Sequence, residues 1–320
     1  MSKNQFRTVF IFLDTDKNAS PFDILTTIDA LSDAEILKYE NVIVEDAERI
    51  VYDAMFPRGP EGAKHTKIFI NGRNFELANQ ILEKIRKCMF APFELSVIID
   101  PRGAYSTASA AVAKTLEVSL LNGFGGLDGK TVVVLAGTGP VGQTAARLYV
   151  AEKARVVVTS RDLQRSSAVA AKINEEYGVN KAVGIEAKTA DEVGRAVEGA
   201  EVVLSAGAAG ITLLPLNVLR EKTGTVRIVA DINAIPPLGV EGLKSKAEGE
   251  EFLPAVFGIG ALAIGKLKNA VEVELIKRAV AEPKGVFDYR IGYEVAKRLV
   301  SERLEAAKQS MAGGSKHWLP

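Results

Sequence analysis

The stretch "KTVVVLAGTGPVGQTAARLYV", Lys130 to Val150, decides the fold. A run of apolar, mostly β-branched residues stops at Ala136; Gly137, Gly139 and Gly142 follow, and then a helical pattern begins. This is the G-x-G-x-x-G spacing in the setting that gives it meaning, with a strand before it, a helix after it and a second strand about twenty residues on. The first glycine permits a tight turn, the second lets backbone approach a pyrophosphate, and the third lets helix and strand pack closely. The helix start offers N–H groups and partial positive charge to phosphates. Pro140 suits that start, where an N–H is dispensable. Gly137, Thr138, Gly139, Pro140, Val141 and Gly142 are therefore expected to hold a dinucleotide. The competing reading is a glycine turn that binds nothing.

The next strand ends "VVVTSRDLQR", Val156 to Arg165. An NAD site usually carries an acidic residue here for the ribose 2′-hydroxyl. This chain has Thr159 and Ser160, then Arg161 and Arg165, and hydroxyl and guanidinium donors suit a 2′-phosphate. NADP is the expected cofactor, with NAD as the weaker alternative and Asp162 as a substitute ribose ligand. Two further strand ends, "LSAGAAG" (Leu204–Gly210) and "ADINAIPPLG" (Ala230–Gly239), lie where α/β sheets bind ligands. Ser205, Ala206, Gly207 and Ala208 are small enough to let a nicotinamide lie against backbone. Asp231 and Asn233 are candidates to orient it or the substrate, although turn chemistry before Pro236 and Pro237 also explains them.

Outward from this turn, strands and helices alternate in both directions. "RTVFIFLD" reads as a buried strand and "SPFDILTTIDAL" as a helix capped by Ser20 with Pro21 at its first position. "AERIVYDAMF" reads as helix, "TKIFING" as strand, "FELANQILEKIRKCMF" as amphipathic helix, "ELSVIID" as strand and "STASAAVAKTLEVSLL" as helix. Beyond the turn come "ARVVVTS", "AVGIEA", "EVVLSAG" and "VRIVADIN", and from Ile259 the pattern is helical. Such alternation implies parallel sheets with right-handed crossovers. The four glycines of "NGFGGLDG", Asn122 to Gly129, mark the expected domain boundary. The fold class is thus α/β in two domains: residues 1–124 as an N-terminal α/β domain and 125–274 as a Rossmann-type NADP-binding domain. The C-terminal helices of 275–320 are expected to pack back across the cleft, and the tail "MAGGSKHWLP" to be loosely held.

At 320 residues the chain has room for two cores. Its 40 basic and 40 acidic residues balance, so no bulk charge draws it to nucleic acid or anionic lipid. Cys88 is the sole cysteine, which excludes an intrachain disulfide and thiolate metal clusters and suits a reducing compartment. The N-terminal apolar run is too short for a signal peptide before Asp14, and the uncharged run Phe252–Gly265 is too short to span a membrane. A cytoplasmic protein is expected.

Oxidising an alcohol requires a proton acceptor or a metal as well as a hydride acceptor. The two histidines, His65 before a strand and His317 in the tail, have no clear claim to that role, and no His/Cys cluster suits zinc. Lysine and carboxylate bases stay open. One hydride transfer needs no base: a carbon flanked by two nitrogens gives up hydride because their lone pairs stabilise the cation. The protein then has to align donor and acceptor, exclude water and surround that cation favourably.

The blocks "FIFLDTD", "VVVLAGTGPVG", "ADINAIPPLG" and "FGIGALAIGKLK" together resemble the NADP-dependent methylene-tetrahydromethanopterin dehydrogenases of methylotrophic bacteria, over Phe10 to about Asp288. The resemblance implies base-free hydride transfer from methylene-tetrahydromethanopterin to NADP+ in one-carbon oxidation, with methylene-tetrahydrofolate accepted by some members, and a homo-oligomer. It implies a pterin site with Asp14, Thr15 and Asp16 after the first strand, Asp100, Arg102, Ser106 and Thr107 in "DPRGAYSTASA", and Lys266 in "ALAIGKLK". Asp14, Asp100 and Lys266 are the catalytic candidates. Helix capping and turn formation are the competing roles for Asp16 and Ser106, and a solvated helix-start lysine for Lys266. The tyrosine–lysine motif of folate dehydrogenase/cyclohydrolases is missing, so dehydrogenase without cyclohydrolase activity is expected. Residues around "FELANQ" and the C-terminal extension depart from shorter relatives and bear on the oligomer interface and carrier choice. The competing readings are a methylene-tetrahydrofolate or shikimate-dehydrogenase-like enzyme and a non-catalytic NADPH sensor.

Overall fold

The computed structural model describes residues 6–222 and 224–313. The chain divides into two compact units. One holds the described residues up to Ser106 together with Asn269–Gly292, and the other holds Thr107–Lys268 and the described residues from Tyr293. His317 and tail residues 314–320 lie outside the described residues.

The first unit opens with β1 (Val9–Asp14), α1 (Pro21–Ala30), β2 (Glu35–Tyr39), α2 (Val44–Met55) and α3 (Gly59–Ala63). It continues with β3 (Thr66–Asn71), α4 (Phe75–Cys88), β4 (Ser96–Ile99) and the start of α5 (Ala104–Leu121). β3 and β4 are buried throughout and β1 is buried after its first residue, the burial expected of parallel strands covered on both faces. Ser20 caps α1 by accepting from the Phe22 N–H (3.4 Å), with Pro21 next. In α4, Ala78, Ile81, Leu82, Ile85 and Cys88 recur at helical spacing and turn inward.

The second unit carries β5 (Thr131–Leu135), α6 (Pro140–Ala151), β6 (Arg155–Ser160), α7 (Leu163–Tyr177), β7 (Ala182–Glu186) and α8 (Ala190–Ala196). After these come β8 (Val202–Ser205), α9 (Leu216–Lys222), β9 (Ile228–Asp231), β10 (Glu248–Leu253), β11 (Val256–Ile259) and the start of α10 (Ala261–Ala281), which passes into the first unit at Asn269. Its sheet runs β10-β11-β9-β8-β5-β6-β7, parallel except for the antiparallel β10–β11 pair. Counted from β5, the parallel strands have the order 3-2-1-4-5-6 of a dinucleotide-binding domain. Val133, Leu135, Val203 and Val229 of the strands and Val197 and Leu219 of the flanking segments share one buried core. Each such side chain contributes roughly 1.5–3 kcal/mol of burial.

Three features differ from the sequence reading. The stretch after Ile259 is not helical throughout: β12 (Gly285–Phe287) interrupts it before α11 (Tyr289–Gly313) and pairs in parallel with β4, completing a first sheet ordered β12-β4-β3-β1-β2. β2 and β10 are further strands at sheet edges. The line between the units falls within α5, ahead of the glycine stretch 122–129, because α5 runs unbroken from one unit into the other. From the segment 275–320 the first unit takes residues up to Gly292.

The returning segment is held by a buried lysine. Lys67 of β3 is fully buried, and its Nζ donates to the carbonyls of Lys64 (2.7 Å) and Glu282 (3.2 Å) and to Ser96 Oγ (3.3 Å). Glu282 directly follows α10, so the ammonium caps a helix C-terminus, a favourable place for a cation. Without a carboxylate among these partners, burial pushes the Lys67 ammonium down to about 8. Its ordinary value is near 10.4, so between these limits the unfolded chain binds more protons than the folded one, and stability rises with pH. Denaturant titrations between pH 8 and pH 10 are expected to show a gain of up to roughly 3 kcal/mol, absent in Lys67→Met. A wild-type protein whose midpoint follows that of Lys67→Met across this window would remove the assignment.

Candidate active site

The glycine turn has the shape its spacing implies. A Cβ on Gly137 would come 2.8 Å from Val158 Cγ1 and 2.9 Å from the Val134 carbonyl, and one on Gly142 would come 2.7 Å from Gly137 Cα. These two glycines are required by packing. Gly139 is different: the nearest atom to a Cβ there is 3.8 Å away, an ordinary contact distance, so nothing in the chain's own packing requires glycine at this position. Gly139 is the N-cap of α6 and Pro140 its first residue. The first intrahelical bond runs from Gln143 N to Gly139 O (2.9 Å), which leaves the Val141 and Gly142 N–H groups ahead of it as donors. Gln143 Nε2 reaches the Thr138 carbonyl (3.5 Å). Uncrowded backbone at Gly139 and the N–H groups of a helix start fit a pyrophosphate.

The turn is tied to β6. Thr159 Oγ1 accepts from the Ala136 N–H (3.1 Å), and the Gly137 N–H donates to the Thr159 carbonyl (2.9 Å). Thr159 is therefore a support of the turn. Beside it opens a cavity of about 600 Å³ lined by Ala136, Thr138, Ser160, Arg161, Arg165 and Lys188, among others, a size suited to part of a nucleotide. Ser160 Oγ accepts from the Asp162 N–H (3.2 Å). Asp162 caps α7, its Oδ1 accepting from Gln164 N (2.8 Å) and Arg165 N (3.3 Å). Arg161 and Arg165 are exposed and have no carboxylate partner among the described residues, whereas Lys188 pairs with Glu186 (2.8 Å). Lys188 has no marker in the sequence beyond a position following a strand.

On the other side of the turn, Asp231 is buried, its Oδ1 accepting from Asn233 N (3.0 Å) and its Oδ2 from Val240 N (3.0 Å). Burial raises its carboxyl above the usual range, against these N–H groups, which favour the charged form. Asn233 Nδ2 donates to the carbonyls of Gly207 and Ala208, both at 3.2 Å, and so links two strand-end loops. Ser205 and Ala206 are buried, and a Cβ on Gly239 would run into Ser205 Oγ. In this arrangement Asp231 and Ser205 build the loops, while Gly207, Ala208 and Asn233 form their rim. Lys266 lies in the second turn of α10, largely exposed, with Nζ 4.0 Å from Glu248 Oε1.

In the first unit, the ends of β1, β3 and β4 converge on a polar cluster. Asp14 is 1% exposed, and its oxygens accept from Asp16 N (2.8 Å) and Ser20 N (3.2 Å). Burial raises its carboxyl, opposed by those two N–H groups. Asp100 is buried too, with Oδ1 accepting from Tyr105 N (2.8 Å) and Ser106 N (3.2 Å) and Oδ2 accepting from Ser106 Oγ. Both carboxylates are thus engaged by the chain itself, and Ser106 belongs to the start of α5. Thr15 Oγ1 is buried with no hydrogen-bond partner among the described residues, close against Gly72, whose φ of 113° only glycine adopts readily. Thr107 follows in α5, half-buried.

Asp16 gathers two arginines. Its Oδ1 accepts from Arg73 N (3.0 Å), and its Oδ2 accepts from Arg73 Nε (3.2 Å), Arg102 Nε (3.0 Å) and Arg102 Nη2 (2.6 Å). Burial alone would raise its carboxyl, but the Arg73 N–H and both guanidiniums outweigh that and hold it low. Arg102 has left-handed backbone (φ 52°), held by Asn71 Oδ1 accepting from its N–H (2.9 Å), and Asn71 Nδ2 donates to Asp23 (2.6 Å). The sequence reading does not single out Asp23, Asn71 or Arg73. The signal that finds the last two is the end of the strand "TKIFING", read by the same strand-end rule as the others.

Among the described residues no group of three or more His, Cys, Asp or Glu is placed to hold a metal, and no helix is long and apolar enough to cross a membrane.

The family model "Methylene-tetrahydromethanopterin dehydrogenase, N-terminal" matches residues 21–102. The "Bifunctional protein MdtA" of Methylorubrum extorquens is 36% identical over 288 residues, covering 89% of this chain and 96% of that protein. The "NAD(P)-dependent methylenetetrahydromethanopterin dehydrogenase" of the same organism is 32% identical over 295 residues, covering 91% and 98%. Among solved structures, shikimate 5-dehydrogenase from Listeria monocytogenes aligns over 87% of this chain and 95% of its own with a TM-score of 0.49 and 14% identity. The assignment rests on the sequence relatives: the chain belongs to the methylene-tetrahydromethanopterin dehydrogenase family.

Proposed function

We propose that this protein catalyses reversible hydride transfer from methylene-tetrahydromethanopterin to NADP+, giving methenyl-tetrahydromethanopterin and NADPH, as a homo-oligomer in the cytoplasm. The observation that carries the reading is a glycine turn whose outer two glycines are required by packing and whose middle one is not, in a chain whose relatives of that family match along nearly their whole length. NADP+, when bound, supplies the hydride acceptor. The donor carbon lies between two nitrogens, so the reaction leaves a delocalised cation and releases no proton. A general base is not required, and the engaged state of Asp14 and Asp100 agrees with that. Rigid placement is the chain's principal contribution.

In this reading the Val141 and Gly142 N–H groups take the pyrophosphate, and Ser160, Arg161 and Arg165 surround the 2′-phosphate. Gly207, Ala208 and Asn233 border the nicotinamide. Lys266 donates a hydrogen bond to the pterin, and Asp14 and Asp100 keep the strand-end loops of the pterin site in shape. A thiol at Cys88 without a disulfide partner suits a reducing compartment.

The test is NADPH absorbance on mixing purified protein, NADP+ and methylene-tetrahydromethanopterin or methylene-tetrahydrofolate in turn. Turnover with neither carrier would overturn the proposal. Lys266→Ala is expected to lower kcat by about 10- to 100-fold with the Kd for NADP+ unchanged, since a positioned donor acts on chemistry and not on the nucleotide. Unaltered turnover would reduce Lys266 to a solvated helix residue.

A further inference from the structure

We propose that Arg73 and Arg102 form a guanidinium pair that binds an oxyanion on the tail of the pterin carrier. This deepens the activity proposed above and rests on it. Most of the acceptor capacity of Asp16 is taken by the chain itself: one N–H reaches its Oδ1 and three reach its Oδ2. A pterin ring, which presents both donors and acceptors, finds few partners for its N–H groups there. What the cluster shows to solvent is guanidinium. Arg73 commits only its Nε–H and Arg102 its Nε–H and one Nη2–H, so each keeps an Nη edge free. The Arg73 side chain is 77% exposed and that of Arg102 is 35% exposed.

The pair is also held in place. One carboxylate oxygen anchors both side chains, and the strained Arg102 backbone persists through Asn71, itself fixed by Asp23. Two guanidiniums against one carboxylate, with forks fixed before a ligand arrives, match an oxyanion better than a neutral group. Both carriers have anionic tails: glutamate carboxylates in a folate-type carrier, and phosphate or carboxylate groups in a methanopterin-type carrier.

The experiment is titration calorimetry of the full chain with each reduced carrier and with the same pterin arylamine lacking its tail. Wild type, Arg73→Gln and Arg73→Lys are compared, with NADP+ titrated in parallel. Arg73→Gln is expected to weaken the tailed carrier about ten-fold, leaving the tail-less analogue and NADP+ unchanged. Arg73→Lys should restore part of the loss, and added salt should shrink the wild-type advantage. The carrier showing the larger loss identifies the tail that the pair holds. Equal loss for tailed and tail-less ligands, or no loss for either carrier, overturns the pair as a tail site. Wild-type protein that binds neither carrier overturns the underlying activity instead.

Discussion

Gly139→Ala is expected to fold normally and lose NADP+ affinity by about 10- to 100-fold, whereas Gly142→Ala is expected to lose stability. The two glycines are three residues apart in one turn, and the contrast follows from what a methyl group meets. At Gly139 the backbone is extended (φ −72°, ψ 165°), a conformation alanine adopts freely, and a Cβ comes no closer than 3.8 Å to any atom. Alanine there reduces the freedom of the unfolded chain, so Tm should hold or rise slightly. Its methyl group instead occupies the space where a pyrophosphate must approach backbone. At Gly142 the Cβ would lie 2.7 Å from Gly137 Cα and 3.0 Å from Gly137 C, both backbone atoms that cannot rotate away. Overpacking of that kind costs about 1–3 kcal/mol, which in a chain of this size lowers Tm by several degrees. Thermal melts with and without NADP+ separate the outcomes. Full NADP+-induced stabilisation of Gly139→Ala would mean that the nucleotide lies elsewhere.

How much of this was legible in the sequence depended on whether a signal was local. β1, β3, β4, β5, β6, β8 and β9 are interior parallel strands, and continuous apolar runs disclose them. β2 ("EILKY") and β10 ("EGEEFL") are edge strands rich in charge, and β12 has three residues whose pairing partner, β4, lies far back in the chain. Nothing local marks them, because their stability comes from the neighbour they join. The glycine turn and the Ser20–Pro21 helix start were readable for the opposite reason, since their chemistry is complete within a few residues. The first-unit cluster fell between these cases. The family resemblance points to Asp14, Thr15, Asp16, Asp100, Arg102, Ser106 and Thr107, but no spacing rule says that Asp16 bonds Arg73 and Arg102 across three strands. Nor does it say that Asp14 and Asp100 are engaged by their own loops, because an aspartate at a strand end has the same letter whether it caps or binds.

Nucleotide choice should shift most in the double variant Arg161→Ala/Arg165→Ala. Hydrogen bonds to charged groups are worth about 1.5–3 kcal/mol each, so one arginine should lower kcat/KM for NADP+ by about 10- to 100-fold and both together by more. The values for NAD+, which lacks the 2′-phosphate, should stay within about three-fold of wild type, within the ordinary scatter of single interactions. Arg161 and Arg165 are suited to this because no carboxylate of the described chain neutralises them, whereas Lys188 is paired with Glu186. Asp162 is the alternative ligand for the ribose hydroxyls of NAD+, and its geometry argues for a capping role, with Gln164 N and Arg165 N both on Oδ1. Asp162→Ala should therefore cost about 1 kcal/mol of stability through the lost cap and leave the NADP+/NAD+ ratio near wild type. Steady-state kinetics with both nucleotides decides between the two roles. Equal losses for NADP+ and NAD+ in the arginine variants, or a ratio moved mainly by Asp162→Ala, would place the 2′-phosphate away from the end of β6.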